Sequence, residues 1–363
     1  MNFGSLENHI MKPEQTHNNS QHPICIGTGL VALDVVISGN PDVVPTQFFA
    51  GGSCGNVLTI LSYLGWTTYP IARLSDNMAT ELLLQDLEKW NVKDDLLTFT
   101  KDGSTPIIIH RILKDKHGAP KHRFEFRNPE DGSYLPAYKP CLAKSVIEIV
   151  EKSATPKLFY FDRINRASIE LAKAYKGAGT IIYFEPSSAK DLKGFKECLE
   201  IADILKFSDD RIPDYDHLYP AAQASIEIQT LGERGLKFRR RGECSWNQLP
   251  SYSIDNVVDS AGAGDWCTAG IIMNLFKTHS KLSEVKDSEL TYALRFGQAL
   301  SALNCTFEGA RGLMYNINRH DLLLSVQHFV NSAALKIPQR SKAAISYQSN
   351  VKQLKIASLF MAS

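Results

Sequence analysis

Short β-rich runs and helical stretches take turns along this chain from Ile24 onward, and that alternation limits the folds open to it. Thr67–Arg73 reads as strand and Met78–Lys89 as helix. Lys157–Asp162 is an apolar strand, and Arg166–Lys176 a helix that stops near Gly177 and Gly179. Strand, helix and strand follow at Thr180–Phe184, Leu192–Ala202 and Ile204–Phe207, with a further strand at Ser225–Leu231. Such alternation implies right-handed βαβ crossovers and a mainly parallel sheet with helices on both faces, an α/β class. Two places break the rhythm. Val35–Ile37 and Val43–Phe49 flank Gly39-Asn40-Pro41-Asp42, and Ile107–Leu113 and His122–Arg127 flank Lys116–Pro120. Both read as β-hairpins, and residues 35–49 and 107–127 are expected to form a small β lid off the main sheet.

Composition narrows the function classes. Among 363 residues, 40 Lys+Arg oppose 39 Asp+Glu, a net charge of +1, which argues against a chain built to coat nucleic acid or an anionic membrane. The one basic cluster, Arg239-Arg240-Arg241, reads as a solvated hairpin edge. No apolar run approaches the ~20 residues of a membrane span. Residues 1–22 are rich in Asn, His and Gln without an apolar core, so they read as a disordered lead-in rather than a secretory signal. Seven cysteines without a CxxC pair suit a reducing compartment, and a cytoplasmic location is expected. Residues 23–331 are expected to form one domain, with 332–363 a C-terminal extension that is either a packed helix or a loose tail.

Gly27-Thr28-Gly29-Leu30-Val31-Ala32 fits the dinucleotide fingerprint in letters only. The chain runs on into Val35-Val36-Ile37 and a turn, where that motif needs a helix and then an acid about 20 residues on. Asp259-Ser260-Ala261-Gly262-Ala263-Gly264-Asp265 is the strongest chemical signal. It follows a strand-like Val257-Val258 and opens an apolar helix, Trp266–Phe276. A Gly-rich helix start presents unpaired N–H groups and the positive end of the helix dipole, an anion site. An Asp there cannot bind phosphate, but it can take a proton from a hydroxyl that attacks phosphate. An ordinary carboxyl near pH 4 would keep Asp265 ionised at neutrality.

The segment Asp259-Ser260-x-Gly262-Ala263-Gly264-Asp265-x4-Gly270 resembles the C-terminal signature of the ribokinase-like (PfkB) carbohydrate kinases. At average residue usage, Gly-Ala-Gly-Asp alone arises by chance about once in 10⁵ positions. Gly51-Gly52-Ser53-Cys54-Gly55-Asn56 is similar to the family's early sugar-binding turn, and Thr230-Leu231-Gly232-Glu233-Arg234-Gly235 to its nucleotide loop. Leu294–Ala310 looks like its adenine-side helix, ending in Gly309-Ala310. The resemblance covers about Ile24 to Phe329 in family order. It implies a ribokinase-like three-layer sandwich and transfer of the ATP γ-phosphate to an alcohol, usually of a sugar or nucleoside. By carry-over, Asp265 is the base and Gly262, Ala263 and Gly264 form the anion hole. Asp34, Gly51, Gly52 and Asn56 would bind substrate; Lys206, Thr230, Gly232, Gly235 and Gln298 would bind ATP. Asp259 and the Ala261 carbonyl lie where many members hold a monovalent cation such as K⁺.

Departures from the family pattern touch the metal. Ala202-Asp203-Ile204-Leu205-Lys206-Phe207 is followed by Ser208-Asp209-Asp210-Arg211, with Ser and Arg where the family keeps Asn and Glu. Mg²⁺ is still expected, with Asp209 or Asp210 as compensating ligands. Asp162, at a strand's carboxyl end, is a candidate substrate contact. Arg127, Arg163 and Arg166 follow strand ends and are either surface ion pairs or partners of an acidic sugar. The leading function is an ATP-dependent sugar kinase acting on a small molecule, with a possible homodimer through the lid. The alternatives are a nucleoside or other alcohol kinase, and a lapsed kinase that binds a metabolite as a regulator.

Overall fold

The computed structural model describes residues 22–37, 46–114, 120–276, 279, 281–332 and 355–360. The tip of the first lid hairpin, nearly all of the N-terminal lead-in and most of the C-terminal extension lie outside them. The strands are β1 (Ile24–Thr28), β2 (Ala32–Ile37), β3 (Gln47–Gly51), β4 (Thr67–Leu74), β5 (Leu97–Phe99), β6 (Ile107–Lys114), β7 (Pro120–Glu125), β8 (Leu158–Phe161), β9 (Ile181–Phe184), β10 (Ile204–Ser208), β11 (Ile226–Thr230), β12 (Leu236–Arg240) and β13 (Asn247–Leu249). The helices are α1 (Ser53–Tyr63), α2 (Met78–Lys89), α3 (Val146–Lys152), α4 (Arg166–Gly177), α5 (Leu192–Ile201), α6 (Tyr215–Leu218), α7 (Ala263–Leu275), α8 (Asp287–Asn304), α9 (Gly312–Asn316) and α10 (Arg319–Ser332).

Nine strands form the main sheet in the order β13-β12-β11-β10-β9-β8-β1-β4-β5. All pairings from β11 to β5 are parallel, and β12 and β13 close the other edge antiparallel. The chain lays β4 on one side of β1 and β8 on the other, so the winding reverses at β1. Ligands of open α/β sheets bind at the carboxyl ends of the strands beside such a reversal. Strands β8 and β9, Leu-Phe-Tyr-Phe and Ile-Ile-Tyr-Phe, are buried throughout because both faces are covered. Leu158, Tyr160 and Tyr183 pack with Leu58 of α1, Trp266 of α7 and Leu300 of α8; Phe159, Phe161 and Phe184 pack with Leu171 of α4 and Phe195 of α5. The architecture is the expected three-layer α/β sandwich.

The two early hairpins form a separate four-stranded sheet, β3-β2-β6-β7, in which β2 and β6 lie parallel. It is wider than read from the sequence at one end, since β2 begins at Ala32 and β3 runs to Gly51, and shorter at the other, where β7 stops at Glu125. Asn77 caps α2, its side chain accepting from Thr80 N–H, and this fixes the helix start at Met78.

Several expectations fail for identifiable reasons. Arg239 is not a solvated edge residue. It is fully buried, pairs with buried Glu227 (Nη2–Oε2 2.8 Å) and donates to the Tyr219 and Pro220 carbonyls, with β13 covering β12. Val257-Val258 forms no strand; Val258 N–H donates instead to the Cys305 carbonyl. Helix α8 ends at Asn304, and residues 305–311 form a turn, so Gly309 and Ala310 lie beyond the helix. Among the described residues of the C-terminal extension, a 3₁₀ turn, Ile356–Leu359, buries Ile356 and Leu359 in the core. All seven cysteines are free, and only Cys244 is exposed. Among the described residues no helix is long and apolar enough to cross a membrane.

Candidate active site

The turn before α7 is shaped by glycine. Gly262 caps the helix at φ 73°, where a Cβ would overlap the Ala310 carbonyl, so only glycine fits. Ala263 N–H, expected in the anion hole, donates back to the Ser260 carbonyl at 3.2 Å. The first-turn N–H groups of Gly264 and Asp265 follow it and have no acceptor within the helix. Asp265 is half-buried, and its Oδ2 accepts from Asn56 Nδ2 at 2.8 Å. Burial and the nearby Glu185 carboxylate push the Asp265 carboxyl up to about 7, against the opposing pull of Asn56, Lys206 and Arg211. The ordinary acidity expected from sequence is thus displaced to the neutral range.

Behind this turn lies a buried polar network. Lys206 Nζ donates to Glu185 Oε1 at 2.6 Å and to the Gly264 carbonyl at 3.3 Å, while Thr268 Oγ1 donates to Glu185 Oε2 at 2.6 Å. Burial pulls the Lys206 ammonium down, but Glu185 overrides it and holds it above its ordinary value. Lys206 is 2% exposed and underlies the start of α7.

Asn56 also lines a cavity of about 240 Å³ roofed by the lid. The lid supplies Asp34, Val36, Gln47, Phe49 and His110, and the body supplies Glu308 to Gly312, Tyr315 and Asn316. Gly51 lies over Asp34, where any Cβ would overlap the carboxylate; Gly52, at φ 77°, caps α1. Burial pushes Asp34 up to about 7, with Arg311 lowering it and Asp86 raising it. Asp34, Asn56, Gly51 and Gly52 therefore come together as expected.

Asp162 does not join them. It is 1% exposed, its Oδ1 accepts from Leu30 N–H at 3.0 Å, and its Oδ2 lies 3.1 Å from Arg163 Nη1. It holds the turn between β1 and β2 and is absent from the cavity wall. Neither Arg127, Arg163 nor Arg166 lines the cavity; Arg166 pairs with Glu170 and Glu197 on the surface. Arg311, His110, Glu308 and Tyr315 were missed. Their signal was weak: Glu308 and Arg311 flank Gly309-Ala310, while His110 and Tyr315 carry no chemical motif of their own.

The residues expected to bind nucleotide lie at β11, the turn after it and α8. Thr230 ends β11 in register with Ser208 of β10, and Gly232, at φ 59°, faces open space. Gly235 packs so closely on Leu249 that a Cβ would overlap its carbonyl, and Gln298 Nε2 donates to the adjoining Pro250 carbonyl at 3.2 Å. Asp209 is paired with Arg234, while Asp210 accepts from Ser208 Oγ. The residues expected to hold a monovalent cation are hydrogen-bonded within the turn. Asp259 accepts Ala261 N–H and Gly309 N–H, each at 2.8 Å, and the Ala261 carbonyl accepts Asn304 Nδ2 at 3.1 Å. Among the described residues no group of three or more His, Cys, Asp or Glu is arranged to hold a metal.

Comparison with known proteins bears on the family and the fold. Probable fructokinase-5 of Arabidopsis thaliana is 25% identical over 317 residues, 79% of this chain and 93% of that protein. The fold is shared with an Arabidopsis thaliana ribokinase complexed with ribose and ATP (TM-score 0.61, 18% identity, 85% of this chain and 99% of that one). It is shared equally with a Burkholderia thailandensis nucleoside kinase in complex with inosine (TM-score 0.61, 16% identity, 87% and 99%). Residues 34–314 match the pattern described as pfkB family carbohydrate kinase, a span that holds most of the cavity wall, the turn before α7 and residues 230–235. With that span and that fold, the chain belongs to the pfkB family and is a carbohydrate kinase.

Proposed function

We propose that the protein transfers the γ-phosphate of ATP to a hydroxyl of an uncharged sugar, with Asp265 as general base. The observation that carries this is the 2.8 Å hydrogen bond from Asn56 to Asp265, which joins the wall of the lidded cavity to the start of α7. A sugar hydroxyl held by Asp34 and Asn56 would lie between the cavity and the anion turn. Asp265, near 7, is matched to accept that proton close to neutral pH. The N–H groups of Gly264 and Asp265 and the α7 dipole would take the charge that grows on the transferring phosphoryl group. Thr230, Gly232, Gly235 and Gln298 would line the nucleotide, and closure of the lid would exclude water.

A divalent ion on ATP supplies charge neutralisation at the phosphates, and Mg²⁺ in such sites takes only one or two carboxylates besides phosphate and water. Asp210 fits that role better than Asp209, which Arg234 already pairs. The substrate's charge follows from the wall. Asp34 and Glu308 line the cavity, and the lining cation Arg311 is paired with Asp86. A sugar acid would meet carboxylates there without an available counter-charge. The fructokinase relatives make D-fructose the first sugar to try. A nucleoside is the second reading, favoured by Phe49 and Tyr315, whose rings lie 5.5 Å apart at the cavity.

The test is ADP release from Mg-ATP with D-fructose, D-ribose, D-glucose, D-gluconate and adenosine, alongside thermal-shift binding of each. Turnover with a neutral sugar supports the reading. Turnover confined to adenosine moves it to nucleosides, and binding without turnover moves it to a regulator.

A further inference from the structure

Ala50 is gripped by both of its backbone groups. Its N–H donates to Asp86 Oδ2 at 2.9 Å, and its carbonyl accepts from Arg311 Nη2. The same Nη2 reaches Asp86 Oδ2 at 2.5 Å, and the Tyr315 hydroxyl lies 3.0 and 3.2 Å from the two Asp86 oxygens. Thus α2, the turn after α8, and α9 converge on one peptide of the lid strand β3. Ala50, Arg311 and Asp86 are all buried, at 0, 3 and 7% exposure. A buried ion pair is a poor stabiliser compared with well-packed apolar side chains, so packing alone does not account for one at the cavity wall.

The next residue supplies the reason. Gly51 lies directly over the Asp34 carboxylate with no room for a side chain. Asp34 and Gly51 sit on neighbouring strands, with Asp34 opposite Phe49 and Ala32 opposite Gly51. Any shift of the Ala50 peptide therefore moves the ceiling of the Asp34 carboxylate. We infer that Arg311 and Asp86 form a clamp on the Ala50 peptide that positions Gly51 and Asp34 for the sugar hydroxyls. They are positioning residues, and the sugar side of the inference rests on the function proposed above. The charges around Asp34 agree: Arg311 holds it down and Asp86 pushes it up, while Glu308 and His110 face the same cavity.

Arg311→Lys keeps a cation opposite Asp86 but loses the planar fork that reaches both Asp86 and the Ala50 carbonyl. Arg311→Met removes the cation, and Tyr315→Phe removes only the hydroxyl on Asp86. In the full chain, Arg311→Lys should raise the sugar KM about tenfold, the worth of one charge-assisted hydrogen bond, with kcat and the ATP KM within about threefold. Tyr315→Phe should shift the sugar KM in the same direction by less. Amide hydrogen exchange supplies a readout independent of turnover. Arg311→Met should speed exchange in the peptide spanning Ala50–Asn56 and leave β8 and β9 as slow as in the wild type. An unchanged sugar KM in Arg311→Lys overturns the inference, as does unchanged exchange at Ala50 in Arg311→Met. So does a loss of protection spread over β8 and β9, which marks a merely structural pair. If the wild type turns over no sugar, the proposed function falls, and the exchange result still decides the clamp.

Discussion

Replacing Asp265 by Asn tests the chemistry at its centre. The change keeps the size and planarity of the side chain, and the amide oxygen can still accept from Asn56 at the 2.8 Å position. What it removes is the capacity to take a proton. A positioned base contributes about 10²–10⁴ in rate, which corresponds to about 3–5 kcal/mol of transition-state stabilisation. Turnover by Asp265→Asn should fall by that factor. Affinity for a non-hydrolysable ATP analogue should hold or improve, since a negative charge beside the phosphates is gone. The pH dependence carries the sharper signature. With the carboxyl at about 7 through burial and Glu185, wild-type kcat/KM should rise through neutrality as the base ionises and level off above it. The residual rate of Asp265→Asn should lack that limb. Steady-state ADP release from pH 5.5 to 9, with calorimetric binding of the analogue, measures both. Equal turnover in the two proteins, or a variant that keeps the same limb, would refute Asp265 as base.

Gly262→Ala should abolish analogue binding and destabilise the fold by more than ~1 kcal/mol, because its φ of 73° is strained for any other residue and its Cβ would overlap the Ala310 carbonyl; chemical denaturation and calorimetry read both, and unchanged binding would be contrary. Lys206→Met leaves Glu185 buried without its cation and should cost about 3–5 kcal/mol. Adding Glu185→Gln should recover part of that loss in urea melts, and strict additivity would contradict the pairing. Asp34 and Asp265 predict how stability varies with pH. Burial raises both to about 7, so between about 4 and 7 the folded protein keeps protons that the unfolded chain has released, and stability declines as pH rises through that window. The thermal midpoint should therefore drop more from pH 5 to pH 8 in the wild type than in Asp34→Asn, and equal drops would show that Asp34 titrates normally. D-Gluconate should neither bind nor turn over, and saturable binding in the thermal-shift screen would remove the charge argument built on Asp34 and Glu308.

Local rules made the frame of this protein legible. Helix α2 starts at Met78 because Asn77 caps it, and α4 starts at Arg166 because Asn165 and Ser168 cap each other reciprocally. Both signals lie within four residues of where they act. The Gly-rich turn that opens α7 was legible for the same reason, since its shape rests on the backbone of Gly262 itself. The lid was legible as two interruptions of the βα rhythm, although its pairing, β2 parallel to β6, joins hairpins far apart in the chain and left no local mark.

Charge at a distance was illegible, and several of the misreadings are of that kind. Asp162 ends a strand where ligands commonly bind, yet the N–H it serves belongs to Leu30, 132 residues earlier. Lys206 follows a motif-like strand, and its partner Glu185 turns it inward beneath the anion turn. Arg239 reads as one of three surface arginines until Glu227 of the neighbouring strand buries it. Arg311 and Asp86 are 225 residues apart. No spacing rule connects them, and each alone passes for a surface charge. A buried charge must be paired, and its partner is supplied by topology rather than by sequence neighbourhood. The Lys206–Glu185 and Arg311–Asp86 pairs lie beside the site, whereas Arg239–Glu227 lies at the amino end of β11. The residues most visible from sequence are then those that act through local geometry, as in the turn that opens α7. Those that set the position and acidity of Asp34 and Asp265 emerge only once the sheet is assembled.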